Sequence, residues 1–430
     1  MVWTKRIDFT LWPVGQGLFT HADIWVGGKS FRVVYDCGTY SSRQVVGPSF
    51  FAPLANKDVD LLVISHFHWD HISRIPELLD AVGTKKVKEV WIPYLSPEQR
   101  LLFAVSTAME GTETDESASR VNEITRMAGM GREWFEERGC VVREFGAPDD
   151  PFAGEGPPGE EGPRNEEGIP EREDEGRDSD PPAELSLTVP HRLDGAFSRG
   201  SAFRAYQSRL DARPASGRIE SPVRLLTWIR PIDSSRTEKL ANELQNLLSV
   251  KDVDPRTLSA IAQAVRDQAT RGDLRNLYES LSPDLNSGSL FLLAQPTIRP
   301  RQPVRFCASV RGLPHWWDND YYPYPPAVLW TGDATAEVLD ELLADTSAPS
   351  PLREQMRSIL VHQVPHHGAA ACLSQQWIDT VVERRAPHSS VISAGRSSRY
   401  LHPSPEAVWR YHAAVVCEGS PPFETSLTWR

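Results

Sequence analysis

Seven consecutive residues, Ser65-His66-Phe67-His68-Trp69-Asp70-His71, constrain this chain more than any other stretch. They follow the apolar run 59–64, which reads as a buried strand, so three histidines and an aspartate emerge where the strand ends and a loop turns. Side chains alternate along extended backbone, which sets His66 and His68 on one side as half of a metal site. Asp70 and His71 follow on the turn and face a second position beside the first. Imidazole with carboxylate suits Zn, Mn or Fe and needs no thiolate. The competing reading is a surface loop rich in histidine by chance. With 12 histidines in 430 residues that coincidence is on the order of one in a thousand, so the metal reading is preferred.

Other strand ends supply matching groups. Residues 7–19 alternate as a strand that breaks at Gly15-Gln16-Gly17, and 21–26 with 31–35 form a hairpin across Gly27-Gly28. The second hairpin strand ends in Asp36-Cys37-Gly38. Residues 74–82 have helical spacing with Pro76 in the first turn, 86–94 read as a strand, 100–140 as largely helical and 141–145 as a short strand. This order puts the histidine loop at the carboxyl end of a strand, where open α/β sheets place their chemistry. Residues 223–229 are a strand, and 238–248 with 255–281 are helical, with Asp254-Pro255 as N-cap and first helical residue. These helices read as an insertion, either a structural cap or a lid. Residues 286–293 begin the second half of the sheet, and the Pro- and Tyr-rich 313–326 reads as a loop. Strand 327–330 runs into Thr331-Gly332-Asp333, strand 359–364 into Pro365-His366-His367-Gly368, and strand 389–393 into a loop that reaches His402.

Composition decides few further questions. No apolar run approaches the ~18–20 residues needed to cross a bilayer, and the first 19 residues lack the pattern of a secretory signal. A cytoplasmic protein without membrane contact is expected. Cys37, Cys140, Cys307, Cys372 and Cys417 are scattered and fit reduced thiols. The net charge of −12 is localised: 147–186 holds fourteen acidic residues against three arginines, a balance of −11, which leaves −1 for the rest. Overall acidity therefore does not argue against a polyanionic substrate. Segment 147–186 is dominated by Pro, Gly, Glu and Asp, which predicts disorder. It serves either as a solvated spacer or as an acidic strand that competes with nucleic acid for the cleft, a tether that a protease could remove.

His66-Phe67-His68-Trp69-Asp70-His71 matches the HxHxDH signature of the metallo-β-lactamase fold hydrolases. The resemblance implies an α/β protein of αββα sandwich type. Its first core half is 1–146, an acidic disordered linker is 147–186, a core strand with the helical insertion is 187–284, and the second core half is 285–430. The ordered set Gly15-Gln16-Gly17, Asp36, the histidine loop, Asn286 with Ser289, Thr331-Gly332-Asp333, His366-His367-Gly368 and Tyr400-Leu401-His402-Pro403 resembles the metallohydrolase domain of bacterial DNA-uptake competence proteins. It covers about 5–145, 222–232 and 285–415. Leu401 departs from the family's glycine. The family's membrane channel is absent, so the chain looks like a stand-alone relative and DNA import does not carry over.

The resemblance implies metal ligands His66, His68, Asp70, His71, Asp333 and His366, with Asp333 bridging and Asp36 supporting the histidine loop from behind. It implies two divalent ions, Zn or Mn, or one tight ion at Asp70, His71, Asp333 and His366 with a weaker position at His66 and His68. A third histidine for the first ion has only His191 and His315 as candidates, and neither follows a convincing strand. The catalytic residues implied are Asp70, orienting water, and His402 or His367, donating to a phosphoryl oxygen or protonating the leaving group; His366 and His367 are exchangeable in role. Arg396 and Arg399 would bind flanking phosphates. The expected function is a metal-dependent phosphodiesterase, a DNase. Such stand-alone nucleases resemble effectors of bacterial antiphage defence controlled by a protease or sensor partner. The alternatives are a small-molecule metallohydrolase acting on a lactam, lactone or thioester, and a non-catalytic module of the same fold.

Overall fold

The structure, a computed structural model, describes residues 5–41, 46, 48–55, 57–83, 86–149, 151–152, 182–193, 201–214, 220–251, 258–279, 285–286, 288–297, 304–310, 313–319, 327–345, 359–381, 389–395 and 402–429. Its strands are β1 (Lys5–Leu11), β2 (Phe19–Val26), β3 (Lys29–Cys37), β4 (Val59–Val63), β5 (Val87–Pro93), β6 (Val141–Phe145), β7 (Pro182–Leu187), β8 (His191–Arg192) and β9 (Arg204–Pro214). Then come β10 (Glu220–Ile229), β11 (Phe291–Pro296), β12 (Val304–Val310), β13 (Leu313–Asn319), β14 (Ala327–Trp330), β15 (Ile359–Gln363), β16 (Ser389–Ser393), β17 (Ala414–Val416) and β18 (Phe423–Trp429). The helices used below are α1 (Trp69–Ile72), α2 (Ile75–Val82), α3 (Pro97–Thr112), α4 (Ala118–Met130), α5 (Arg132–Glu136), α6 (Ser234–Val250), α7 (Leu258–Ala264) and α8 (Gln268–Glu279).

Two sheets face each other. One has the order β13-β12-β18-β1-β2-β3-β4-β5-β6, the other β17-β16-β15-β14-β11-β10-β9-β7, with β8 also on β9. Strand β4 explains why the sequence before the histidine loop is apolar without alternation. Leu61 and Val63 face the inter-sheet core with Ile7, Phe9 and Leu292, while Leu62 and Ile64 face the helical layer with Leu78 and Phe103. A parallel strand covered on both sides must be apolar on both sides. Helices Ala336–Asp345, Gln375–Val381 and Pro405–Arg410 cover the second sheet's outer face through Leu339, Leu342, Trp377 and Tyr411. The layers are therefore helix, sheet, sheet, helix. Two buried hydrogen bonds tie the sheets together: Tyr35 Oη donates to the Leu290 carbonyl (2.6 Å), and Trp330 Nε1 donates to Thr20 Oγ1 (2.8 Å).

The β2–β3 hairpin closes with Val26 opposite Lys29 and both loop glycines at positive φ (55° and 86°), the conformation a two-residue hairpin loop demands. Four sequence expectations change. Residues 313–319, expected in a loop, form β13, antiparallel to β12 in the first sheet. The linker's expected end at 186 falls inside β7, which pairs with β9 because Leu185 and Leu187 pack on the inter-sheet core; residues 153–181 lie outside the described residues. The 255–281 helix is two helices, α7 and α8, and Asp254-Pro255 lies outside the described residues. Last, β18 was not anticipated; it lies between β1 and β12, with Lys5 opposite Trp429. The helical insertion shares a small core with α3, in which Leu102 and Val105 meet Leu244, Leu248, Ile261 and Leu274. Among the described residues, no helix is long and apolar enough to cross a membrane.

One side chain on the outer face of the first sheet gives a stability prediction. Trp12 Nε1 donates to His21 Nδ1 (2.9 Å), which requires a neutral acceptor, and burial lowers His21 to about 4. Unfolded histidine titrates near ~6.5. The unfolded chain therefore takes up the proton first, and the contribution present above ~6.5 is lost as pH falls to ~4, on the order of 3 kcal/mol. Urea midpoints of wild type and His21→Gln should differ at pH 7 and converge at pH 4.5. An equal difference at both pH values contradicts this account.

Candidate metal centre

The site sits on the rim where β3, β4, β14, β15 and β16 end. Each strand end is shaped by local chemistry. Asp36, the penultimate residue of β3, has φ 53°, a left-handed conformation that turns its carboxylate under the histidine loop. Its Oδ1 accepts from Ser65 N–H (2.7 Å), and its Oδ2 accepts from Ser65 Oγ (2.6 Å) and His71 Nδ1 (2.8 Å). Burial pushes the Asp36 carboxyl up, against the pull of His71 and Ser65. The loop itself is pinned from several directions. Leu18 N–H donates to the Asp70 carbonyl (3.0 Å), and Trp69 N–H donates to Glu110 Oε2 (2.9 Å). Gly38 lies so close that a Cβ there would stand 2.4–2.5 Å from backbone atoms of Asp70 and His71.

The Gly-Asp turn after β14 is held in the same way. Gln363 Oε1 accepts from Thr331 N–H (2.9 Å) and Gly332 N–H (3.1 Å), and Ser289 Oγ accepts from Asp333 N–H (3.2 Å). Gly332 has φ 56°, and a Cβ on it would meet Ser65 Cβ at 2.8 Å, so the turn nests directly on the β4 end. After β15, His366 (φ 47°, ψ 48°) and His367 (φ 52°, ψ 23°) are both left-handed. Two such non-glycine residues in succession cost on the order of 1–2 kcal/mol each, a strain that clusters at functional sites.

Two groups of buried donors result, each with ligand atoms within 4.8 Å of one another: His66, His68 and Asp333, and Asp70, His71 and His367. The carboxylate of Asp333 stands between them. Its Oδ1 is 3.1 Å from His71 Nε2 and 3.8 Å from His367 Nε2, and its Oδ2 is 3.7 Å from His66 Nε2 and 3.9 Å from His366 Nε2. The expected ligands His66, His68, Asp70, His71 and Asp333 are thus brought together. The last position of the Asp70 group holds His367, not His366: its Nε2 is 3.1 Å from Asp70 Oδ2, and the left-handed turn directs His366 outward, with 25% of its side chain exposed. His402 follows, with its ring 5.5 Å from that of His366. Burial lowers His402 to about 4, helped by His366 and His367, so at neutral pH it offers a hydrogen bond rather than a dissociable proton. His191 lies on β8, which pairs with β9 and is separated from β14 by β9, β10 and β11, and His315 lies on β13, at the edge of the first sheet away from β3 and β4. Arg396, Arg399, Tyr400 and Leu401 lie outside the described residues.

The donors fit divalent ions on the tautomers alone. His71 Nδ1 must donate to Asp36, and His367 Nδ1 must donate to the Ser393 carbonyl (3.0 Å). Each ring therefore presents Nε2 inward, 3.1 Å from a carboxylate oxygen of Asp333 or Asp70. A bare imidazole lone pair at that distance from a carboxylate is repulsive, so a cation must stand between them. Without a metal a proton does so. Burial opposes charge on both imidazoles, yet Asp333 and Asp70 push both up, His71 well above the ordinary range. His71 Nε2 and Asp333 Oδ1 are buried without a hydrogen-bond partner, and among the described residues histidines are the only ion-pair partners of Asp36, Asp70 and Asp333. Buried orphan donors and acceptors clustered with histidines and carboxylates in this way fit an ion position.

Sequence reasoning missed Glu110 and Gln363. Glu110 also accepts from Tyr40 Oη (2.8 Å) and Ser106 Oγ (2.7 Å), and so anchors α1 from α3. Its partners Tyr40 and Trp69 lie far off in the chain and leave no local signal. Gln363 could have been found, as an uncharged polar residue beside His362 at the end of an apolar strand.

The family model of the metallo-beta-lactamase superfamily matches residues 18–186. Those residues include Asp36 and the whole histidine loop. No curated protein matches the chain. The layer order is that of the metallo-β-lactamase αββα fold, in keeping with the family match over 18–186, and residues that could hold a metal ion stand at the strand ends.

Proposed function

We propose that this chain is a metal-dependent phosphodiesterase that cuts DNA. The observation that carries the reading is the partition of Asp333, whose two oxygens face two separate imidazole sets, the arrangement a two-ion hydrolytic centre requires. The choice of DNA rests on the motif set that resembles competence-protein nuclease domains, whose described members gather round this centre. A Cβ on Gly17 would meet the Asp70 carbonyl at 2.9 Å, the Gly15 carbonyl accepts from Ser393 Oγ (3.0 Å), and Ser289 caps Asp333.

Divalent ions held by His66, His68 and Asp333 and by Asp70, His71 and His367 would supply Lewis acidity, which lowers the pKa of water to about 7. The chain's own residues do the rest. Asp36 fixes the His71 tautomer, Ser393 fixes that of His367, and both keep Nε2 directed inward. Asp70 and Asp333 place negative charge where a nucleophilic water must be oriented. His402, neutral at pH 7 and half-buried at the rim, donates to a phosphoryl oxygen. Segment 147–186, at −11, fits an acidic competitor for a polyanionic substrate that a protease or sensor partner displaces, as a regulated antiphage effector would need.

Degradation of supercoiled plasmid with Mn, Zn or Mg tests this, with nitrocefin as the small-substrate control. Wild type should convert plasmid, and Asp70→Ala should lose on the order of 100-fold or more of that rate. A deletion restricted to 153–181, which spares β7, should raise it. If plasmid stays intact with every metal and with the segment removed, the nuclease reading is wrong.

A further inference from the structure

We infer that His366 is the third imidazole of the His66 and His68 ion, so that two adjacent histidines, His366 and His367, serve different ions. The inference rests on the metal reading above and fills the gap that His191 and His315 do not. Three observations carry it. First, the Asp333 carboxylate sorts the histidines by oxygen: His71 and His367 on Oδ1, His66 and His366 on Oδ2. Second, the backbone accounts for the split. His366 and His367 form a single left-handed turn, fixed by the His366 N–H to Gly332 carbonyl bond (3.1 Å) and the Ala369 N–H to His366 carbonyl bond (2.8 Å). Side chains of consecutive residues in such a turn diverge, so one cannot join the Asp70 group without the other being turned away from it. Third, His366 Nδ1 is buried without a hydrogen-bond partner although the side chain is partly exposed.

The remaining movement is small. Two donors ~2.0–2.1 Å from one tetrahedral ion lie roughly 3.3 Å apart. His366 Nε2 is 3.9 Å from Asp333 Oδ2, within ~1 Å of that spacing, and its side chain is partly exposed. His402, beside the His366 ring, then borders the ion from outside.

The test is metal stoichiometry and affinity on the full chain, stripped and reloaded with Mn, read by elemental analysis, calorimetry and the spin-coupled signal of an ion pair. Wild type should hold two ions and show coupling. His366→Ala should hold one, with the affinity for the other down ~100-fold and the coupling lost. His66→Ala should behave alike, the His66→Ala/His366→Ala pair should lose nothing more, and His366→Ala with Asp70→Ala should hold none. Two ions at wild-type affinity in His366→Ala overturn the assignment and leave the metal reading standing. So does loss of both ions in the pair with His66→Ala. A wild type that binds no metal overturns the metal reading and the assignment with it. His366→Asn, with circular dichroism of each variant, separates ligand loss from failure to fold.

Discussion

Asp333→Ala should release both ions at once and lower hydrolytic turnover on the order of 10³-fold, about 4 kcal/mol of transition-state stabilisation. Among the described residues, no other stands between both donor groups, with one oxygen 3.1 Å from His71 and the other 3.7 Å from His66. Its loss would leave the Nε2 sides of His71 and His367 with Asp70 as their carboxylate among the described residues, and those of His66 and His366 with none. Asp333→Asn should be nearly as severe, because it keeps shape and removes charge. The metal-to-protein ratio after reloading, measured beside kcat, checks both variants. Retention of two ions by Asp333→Asn would mean that the carboxylate does not bridge. Ser289→Ala, which removes the acceptor for the Asp333 N–H and the donor to the Asn286 carbonyl, should lose far less, within the ~10–100-fold typical of groups that orient a ligand.

Gly38→Ala should be among the most damaging single-methyl changes at the described glycines. The added carbon would stand 2.4 Å from the Asp70 carbonyl carbon and 2.5 Å from the His71 nitrogen and carbonyl carbon, all backbone atoms that no rotamer can move aside. Either β3 or the histidine loop must shift, and a shift of the loop carries Asp70 and His71 with it. Overpacking of this kind costs ~1–3 kcal/mol and more where neither side yields, so a destabilisation of ~3 kcal/mol is expected. Metal content should fall below one ion per chain in whatever folds. Urea denaturation and elemental analysis read the two effects. Gly272→Ala is the control. It lies in α8 with nothing within 4 Å of the added carbon, and should be neutral or stabilising by up to ~1 kcal/mol. If both variants unfold at the wild-type midpoint, the close packing of β3 against the loop is not what holds Asp70 in place.

What the sequence made legible follows from where its signals are local. The apolar run before His66, the alternating hairpin around Gly27-Gly28 and the carboxylates after strands are short-range patterns, and β4, β2–β3, Asp36 and Asp333 lie where they predict. The choice between His366 and His367 depends on two left-handed residues, and nothing in Pro-His-His-Gly announces that the turn continues through both. β13 was hidden because prolines and tyrosines beyond its end gave the whole stretch a loop-like composition. β7 was hidden by the acidic residues before it, although Leu185 and Leu187 already alternated. Glu110 and Gln363 act across distances that only the folded chain defines.

The place of β18 between β1 and β12 bears on how the protein is made. On a ribosome moving at ~5–20 residues per second, β1 emerges roughly 20 to 80 s before the strand that flanks it, since Lys5 waits for Trp429. Through that interval one rim of the nascent sheet offers unsatisfied amides and carbonyls to any neighbouring chain, and a holding chaperone should engage the N-terminal half until translation reaches residue 429.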